Sequence, residues 1–303
     1  MIFGFDIGGT NIRGAEVRSA ADIGPVGRVS TPTQDFGQFA TALKTMIAAG
    51  SARPEVVAIS LAGVIDAETR TAICANIPCL HGRPIENDLG DALGLPVIIA
   101  NDADCFAIAE ARIGAGRGHR IVFGAILGTG VGGGLVVDGR LVNADGGFAG
   151  EWGHAPIVGR FTGNPPREMP LFRCGCGLEG CLETLGSARG LERLYSHFHA
   201  RQLTAEEIVQ NSMAGDQKAA QTIEWFVDII SAPLAMVVNV TGASIVPVGG
   251  GLSRATSLLE KLDLAVRSRT LRRFHSRLLV PSLCTHEPGI VGAALLAGVD
   301  EKA

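Results

Sequence analysis

The chain has 303 residues, a hydrophobic share of 47% and a formal net charge of −4. This length favours two domains, and the acidic balance argues against nucleic acid or an anionic membrane as the main partner. Asp6 interrupts the first apolar run, so we expect no secretion signal and a cytoplasmic, reducing location. The longest apolar stretch, 229–240, contains Pro233 and is too short to span a bilayer.

The first predicted element is a strand over residues 2–6, with a hairpin partner over 12–17. Between them lies a glycine turn that ends in two polar side chains: Gly8, Gly9, Thr10 and Asn11. Paired glycines after a strand let backbone N–H groups approach a phosphate. Asp6, at the end of the strand, can hold Mg²⁺ directly or through water. An ordinary tight hairpin would explain the same turn equally well.

The next predicted elements are a strand over 26–33, a helix over 36–49 and a strand over 56–61. The helix is indicated by apolar residues at helical spacing, closed by a glycine. The last strand leads to Gly63, a second glycine suited to close approach, and Asn76 follows in a polar turn.

A short helix over 85–93 precedes a predicted strand over 97–100, which runs directly into Asn101 and Asp102. A further helix is expected over 105–113. An Asn-Asp pair at a strand-to-helix junction is a good N-cap, and capping alone could explain it. The same junction is where α/β sheets present catalytic groups.

A glycine-rich linker over 114–118 separates the two halves of the chain. The second half opens with a strand over 121–127, a glycine-rich turn and a strand over 135–137. The turn contains Gly128, Thr129, Gly130 and Gly132. Its backbone N–H groups and hydroxyl would suit the terminal phosphates of a nucleotide. Neither a P-loop nor a Rossmann glycine pattern occurs, so both of those nucleotide-binding classes are excluded.

Three cysteines lie in the glycine-rich stretch over 173–183: Cys174, Cys176 and Cys181. His154 lies upstream in a turn-like run. Three thiolates and one imidazole suit a closed, tetrahedral, structural zinc site. A disulfide or inert buried thiols would be the alternative, although clustered cysteines in a reducing compartment favour metal.

Residues 187–240 are predicted to be mainly helical, with Pro233 kinking or dividing a helix over 216–240. A core strand over 244–248 runs into another glycine turn, Gly249, Gly250 and Gly251. Residues 289–294 begin a helix of small residues that can pack close to a neighbour. One glycine hairpin in each half suggests a duplicated pair of α/β domains.

The order of these motifs resembles the layout of the actin-like ATPases. The matching segments are 6–10, 101–103, 128–134, 249–253 and 289–293. With Glu151-Trp-Gly-His154 and the cysteine loop, the whole chain is similar to the ROK family (repressors, open reading frames and kinases). The resemblance implies a two-domain α/β, ribonuclease H-like fold with a cleft. The domains would be 1–116, completed by 289–303, and 117–288. Trp152 stands where Phe or Ile is more usual.

The resemblance implies an ATP-dependent kinase for the 6-hydroxyl of N-acetylglucosamine, with glucose, N-acetylmannosamine or fructose as alternatives. It also implies Mg²⁺, a structural Zn²⁺, a homodimer, and no nucleic-acid or membrane partner. A sugar-sensing repressor is disfavoured, because the first strand starts at Ile2 and no basic helix is evident.

Roles for single residues also follow from the resemblance. Asp102 would be the general base and Asp6 would organise Mg²⁺. The phosphates would meet Gly8, Gly9, Thr10, Asn11, Gly128, Thr129, Gly130 and Gly132, and the adenosine would meet Gly249, Gly250 and Gly251. The sugar would meet Gly63, Asn76, Asn101, Asp102, Glu151, His154 and Glu183. The zinc, held by His154, Cys174, Cys176 and Cys181, would shape the sugar pocket without taking part in the chemistry.

Overall fold

The computed structural model describes residues 1–301. Up to residue 112 the elements are β1 (Ile2–Ile7), β2 (Asn11–Val17), β3 (Ile23–Ser30), α1 (Phe36–Ala48), β4 (Val56–Leu61), β5 (Val64–Ile65), β6 (Ala72–Ile73), α2 (Ile85–Leu93), β7 (Val97–Asn101) and α3 (Asp102–Arg112). From residue 121 they are β8 (Ile121–Leu127), β9 (Val131–Val137), β10 (Arg140–Leu141), β11 (Phe161–Thr162), β12 (Arg167–Glu168), α4 (Glu183–Gly186), α5 (Ala188–His199), α6 (Ala205–Met213), α7 (Gln217–Thr241), β13 (Val246–Gly249), α8 (Thr256–Arg267), β14 (Leu279–Pro281) and α9 (Pro288–Leu296).

The described residues form two compact units. The first contains 1–118, 134–149 and the residues from 283 onward, and the second contains 119–133 and 150–282.

Residues 134–149 cluster with the first unit, whereas the predicted division assigned them to the second domain. Asn143 gives a physical reason, because its amide donates to Asp104 Oδ2 at 3.0 Å and to the Ala149 carbonyl at 2.8 Å. The bond to Asp104 fastens the segment to α3. The division inferred from sequence stays a prediction, and residues 302 and 303 of its last segment lie outside the described residues.

The first unit is built on a five-stranded sheet of order β3-β2-β1-β4-β7. β1 pairs with β2 in antiparallel and with β4 in parallel orientation. Phe3 and Phe5 point from β1 into a core shared with α1 and α2, since alternate residues of a strand share one face. On the other face α9 packs closely. A Cβ on Gly292 would overlap the Cys105 carbonyl, which confirms the predicted close packing of this small-residue helix.

A second five-stranded sheet has the order β10-β9-β8-β13-β14. β13 runs parallel to β8 and to β14. The helix α7 packs in the core of this half through an apolar stripe that includes Ile223, Phe226, Ile230 and Leu234.

The helix α7 runs from Gln217 to Thr241 without interruption, so Pro233 does not divide it. A proline removes only one backbone donor, and burial of the apolar stripe outweighs that loss. By length and composition α7 could cross a membrane, but 61% of its most apolar window is buried. This is weak support for a membrane span, because the core helix of a soluble protein passes the same test.

The α/β class is confirmed, and three elements have a boundary that differs by three residues or more from the predicted one. The strand predicted over 26–33 lies at Ile23–Ser30. The helix α3 begins at Asp102 rather than at residue 105, because Asn101 caps it directly. The strand β9 begins at Val131 rather than at residue 135. Its glycines read locally as a turn, but pairing within the sheet extends the strand through them.

Candidate active site

The first glycine turn closes the hairpin between β1 and β2. The Gly8 N–H donates to the Asn11 carbonyl at 3.0 Å, and the Thr31 hydroxyl donates to the Gly8 carbonyl at 2.7 Å. Asn76 lies directly against this turn, since a Cβ on Gly9 would be 2.7 Å from the Asn76 Cβ. The turn therefore has a defined shape. Asn76, which is predicted to bind the sugar, lies beside this turn, which is predicted to bind phosphate.

Asp6 lies at the centre of a small polar cluster. Its Oδ1 accepts a hydrogen bond from the Ser60 hydroxyl at 3.0 Å, and its Oδ2 pairs with the Arg13 guanidinium. Arg13 also reaches Glu287 Oε1 at 3.1 Å. A Cβ on Gly289 would be 2.9 Å from Asp6 Oδ1, so the start of α9 needs glycine to approach this closely.

Sequence reasoning missed Arg13, Ser60 and Glu287. Arg13 had a signal, because the register of the hairpin pairs it directly with Asp6. Ser60 and Glu287 had none, since their contacts with Asp6 and Arg13 depend on how β4 and the start of α9 pack.

Asn101 and Asp102 occupy the junction between β7 and α3. Asn101 Oδ1 accepts from the Ala103 N–H at 2.8 Å, so the capping interpretation holds. The Asn101 amide also donates to the Gly63 carbonyl at 3.0 Å. This bond joins two residues that are predicted to bind the sugar. Asp102 is exposed in the first turn of α3.

The second glycine turn joins β8 to β9. The Gly128 N–H donates to the Gly130 carbonyl at 3.0 Å, and the Gly128 carbonyl accepts from the Ala188 N–H at 2.8 Å. Gly250 has a φ of +86°, and a Cβ there would be 2.8 Å from the Gly128 nitrogen. The predicted phosphate and adenosine turns of this unit are therefore in contact.

Glu183 and Trp152 both contact the strand that follows this turn. Glu183 Oε2 accepts from the Val131 N–H at 3.2 Å, and Trp152 Nε1 donates to the Gly132 carbonyl at 2.9 Å. A Cβ on Gly130 would overlap the Glu183 carboxylate. The predicted sugar-binding carboxylate of Glu183 thus lies against the predicted phosphate loop. Trp152, which is unusual at its position in the family, adds a hydrogen bond to the same loop.

Glu151 lies beside His154 in the same unit, with Oε2 at 3.8 Å from His154 Nε2. Burial raises the pKa of Glu151, while the nearby His154 lowers it and the charge of Glu183 raises it. A carboxylate next to a ring nitrogen can orient an imidazole whose other nitrogen binds metal.

The four predicted metal ligands form one cluster, with their ligand atoms within 4.8 Å of one another. His154 Nδ1 is 3.6 Å from Cys174 Sγ, and Cys176 Sγ is 3.6 Å from Cys181 Sγ. A tetrahedral zinc with Zn–S bonds of about 2.3 Å separates its sulfurs by about 3.7 Å. All seven cysteines are free, so the donor set fits a structural zinc rather than a disulfide.

Each unit therefore collects its own share of the predicted site residues. The first contains Asp6, Gly8, Gly9, Thr10, Asn11, Gly63, Asn76, Asn101 and Asp102. The second contains Gly128, Thr129, Gly130, Gly132, Glu151, His154, Cys174, Cys176, Cys181, Glu183, Gly249, Gly250 and Gly251.

Comparison with known sequences places this arrangement among sugar kinases. The profile of the ROK family matches residues 2–299. The N-acetylgalactosamine kinase AgaK of Shewanella sp. (strain ANA-3) is 35% identical, with 100% of each chain covered. The N-acetyl-D-glucosamine kinase of Pectobacterium carotovorum subsp. carotovorum (strain PC1) is 33% identical, covering 99% of this chain and 100% of the relative.

Solved structures of ROK sugar kinases are also similar to this chain. A ROK hexokinase from Thermus thermophilus superposes with a TM-score of 0.78 and 30% identity, covering 97% of each chain. A ROK glucokinase from Streptomyces griseus, solved with glucose and AMPPNP, has a TM-score of 0.77 and 27% identity, covering 97% of this chain and 98% of that one. The predicted actin-like fold class is confirmed.

Proposed function

Because the chain belongs to the ROK family, we propose that it transfers the γ-phosphoryl group of ATP to the 6-hydroxyl of N-acetyl-D-glucosamine. The protein is an ATP-dependent sugar kinase. The choice of sugar rests on similarity to N-acetyl-D-glucosamine kinases from Pectobacterium and Photobacterium, which extends over 98% or more of the chain.

In the proposed reaction, Asp102 accepts the proton of the sugar 6-hydroxyl. A bond forms between O6 and the γ-phosphorus, the bond from that phosphorus to the β,γ-bridging oxygen breaks, and ADP leaves. Asp102 suits this role because it is exposed in the first turn of α3, where its Oδ1 accepts a hydrogen bond from the Ala103 N–H at 2.9 Å. A positioned general base contributes about 10²–10⁴-fold in rate.

The remaining roles follow the contacts within each unit. Gly9 and Gly130 have backbone N–H groups available for the phosphates, as glycine turns after strands do in other nucleotide sites. Gly8 and Gly128 shape the two turns, because their N–H groups bond the carbonyls of Asn11 and Gly130. Asp6 is the residue that would hold Mg²⁺, which neutralises phosphate charge when bound.

In the proposed site, amide and carboxylate side chains recognise the sugar hydroxyls and acetamide. Asn76 and Asn101 contribute amides, and Glu151 and Glu183 contribute carboxylates, which suit paired bonds to neighbouring hydroxyls. A zinc ion bound by His154, Cys174, Cys176 and Cys181 would tie His154 to the loop that ends at Glu183. A zinc ion held by these residues would fix the shape of the pocket and would not act on the phosphoryl group.

N-acetyl-D-galactosamine is the second candidate substrate. The relative from Shewanella is named for that sugar and is 35% identical over the full chain. The two sugars differ only in the configuration at C4. The alternatives predicted from the sequence are glucose, N-acetylmannosamine and fructose, and they do not include this epimer.

A coupled assay that follows ADP release with each of these five sugars tests the proposal. N-acetylglucosamine should give the highest kcat/KM, and NMR of the product should place the phosphate on O6. A higher kcat/KM with N-acetylgalactosamine would move the assignment to the epimer. ADP release with none of the sugars would overturn it.

The proposed enzyme works in the cytoplasm on two small molecules, without nucleic acid or membrane, as a homodimer. Sedimentation equilibrium of the purified chain tests the dimer, and a mass near 31 kDa, that of one chain, would contradict it.

A further inference from the structure

A cavity of about 720 Å³ lies in the second unit, and none of the predicted site residues lines it. Pockets for small ligands commonly have about 300–1,000 Å³. The walls are the exposed face of α5, residues 202–207 before and within α6, and Phe172 ahead of the cysteine loop.

The exposed face of α5 brings charged side chains to this cavity at helical spacing. Arg189, Arg193 and His197 follow one another at intervals of four residues, so they lie in one row. The opposite face of α5, including Leu191 and Leu194, is buried in the core.

The two carboxylates in the cavity wall are already engaged by the backbone. Glu192 Oε1 accepts from the Ala205 N–H at 3.0 Å. Glu207 Oε2 accepts from the Thr204 N–H at 2.8 Å and from its hydroxyl at 3.0 Å. Both carboxylates therefore accept hydrogen bonds at the start of α6, and neither pairs with an arginine of the cavity.

The two guanidinium groups keep most of their donors available. Among the described residues, neither Arg189 nor Arg193 forms an ion pair with a carboxylate. The one hydrogen bond from Arg193 is long, at 3.4 Å to the Thr184 carbonyl. Arginine donors in a planar fork match the oxygens of a phosphate group.

An aromatic wall lies next to these donors. The Phe172 ring centroid is 5.9 Å from the Arg193 guanidinium carbon, and the His197 ring meets it edge-on at 6.5 Å. A ligand that fits this cavity carries an anionic group for the arginines and a ring or apolar body for Phe172.

We propose that this cavity binds an organic phosphate, separately from the substrates. Arg189 and Arg193 contact the phosphate oxygens and Phe172 contacts the organic part. Sugar phosphates and nucleoside monophosphates share this chemistry.

Isothermal titration of the zinc-loaded full chain with phenyl phosphate tests the proposal. This probe carries a phosphate and a ring, and it is neither substrate nor product. N-acetylglucosamine and a non-hydrolysable ATP analogue are present to occupy the substrate sites. We expect wild-type protein to bind, and each loss of arginine to weaken binding roughly ten-fold, the value of one hydrogen bond between charged groups.

The test variant is Arg189→Met with Arg193→Met, and the matched control is Arg272→Met with Arg273→Met. The control removes the same charge from exposed residues of the same unit, in the loop after α8. Weak binding by the test variant with normal binding by the control supports the site. Circular dichroism verifies that both variants fold.

Three results would overturn the proposal: no binding by wild type up to about 10 mM, equal binding by the test variant, or loss of binding once the ATP analogue is added. The last result would make the cavity part of the nucleotide site. Titrations with AMP, N-acetylglucosamine 6-phosphate and inorganic phosphate then identify the organic part. The comparison of variants does not rest on the proposed kinase activity, which the sugar assay tests by itself.

Discussion

Replacing Gly130 by alanine tests whether the contact between Glu183 and the second glycine turn matters for sugar binding. The added Cβ would overlap Glu183 Oε2, and that oxygen accepts the hydrogen bond from Val131 N–H at 3.2 Å. Because the clashing atom is the end of a flexible side chain, Glu183 can rotate away while the fold stays intact.

The magnitude follows from the hydrogen bond that Glu183 is proposed to form with the sugar and would lose on rotating away. A hydrogen bond to a charged group contributes about 1.5–3 kcal/mol, and each 1.4 kcal/mol corresponds to a factor of ten. Gly130→Ala should therefore lower kcat/KM for the sugar about 10- to 100-fold. Most of the loss should come as a higher KM for the sugar, since in the proposed site Glu183 contacts the sugar and not the transferred phosphoryl group.

The coupled kinase assay, at saturating ATP and varied sugar, measures this loss. Gly175→Ala is the matched control, because nothing lies within 4 Å of a Cβ at that loop position in the same unit. The control should keep wild-type kinetics, and both variants should keep a melting temperature close to that of the wild type. A Gly130→Ala enzyme with kcat/KM within two-fold of wild type would refute the reasoning.

Three further predictions concern the base, the zinc and a buried carboxylate. Asp102→Asn should lower kcat about 10²–10⁴-fold while calorimetry shows sugar binding nearly unchanged; near-normal kcat would rule out the base assignment. Cys176→Ser, or chelation verified by metal analysis, should lower the Tm and raise the sugar KM, and unchanged values of both would contradict a structural zinc. Hydrogen bonds from Ser51, with help from Arg18, hold the pKa of Glu16 below its usual value. The folded state therefore gains stability from ionised Glu16 above about pH 4.3, the unperturbed value, and loses it as the pH falls through the lower folded-state pKa. In urea unfolding, Glu16→Gln should be less stable than wild type at pH 7 and approach it at low pH; a gap that stays constant with pH would contradict this.

The local parts of the candidate site could be predicted from the sequence, because their chemistry is carried by neighbouring residues. A glycine pair after a strand exposes backbone N–H groups wherever the strand lies. Three cysteines within eight residues need only one ligand from elsewhere, and His154 completes the cluster in the structure. Asn101 shows the limit of such local reasoning. The structure confirms capping by Asn101 and adds a bond from its amide to the Gly63 carbonyl, whereas its part in sugar binding stays a prediction.

Boundaries and long-range partners were harder to predict. The glycines after Val131 read as a turn, yet pairing in the sheet makes them part of β9. Pro233 reads as a helix breaker, yet α7 continues through it because its apolar face is buried. Local propensity is a weak signal where packing supplies a larger free energy.

The sequence by itself determined the chemical inventory of this protein: two glycine turns, an Asn-Asp junction and a zinc ligand set, all in the order of one family. Only the tertiary structure decided which side chains surround them. Arg13 meets Glu287 across 274 residues of chain, and Glu183 meets Val131 across 52. Contacts of this kind depend on the packing of whole elements, and no short pattern encodes them. The spacing of Arg189 and Arg193 on α5 can likewise be seen in the sequence, but the cavity in front of them exists only in the folded chain.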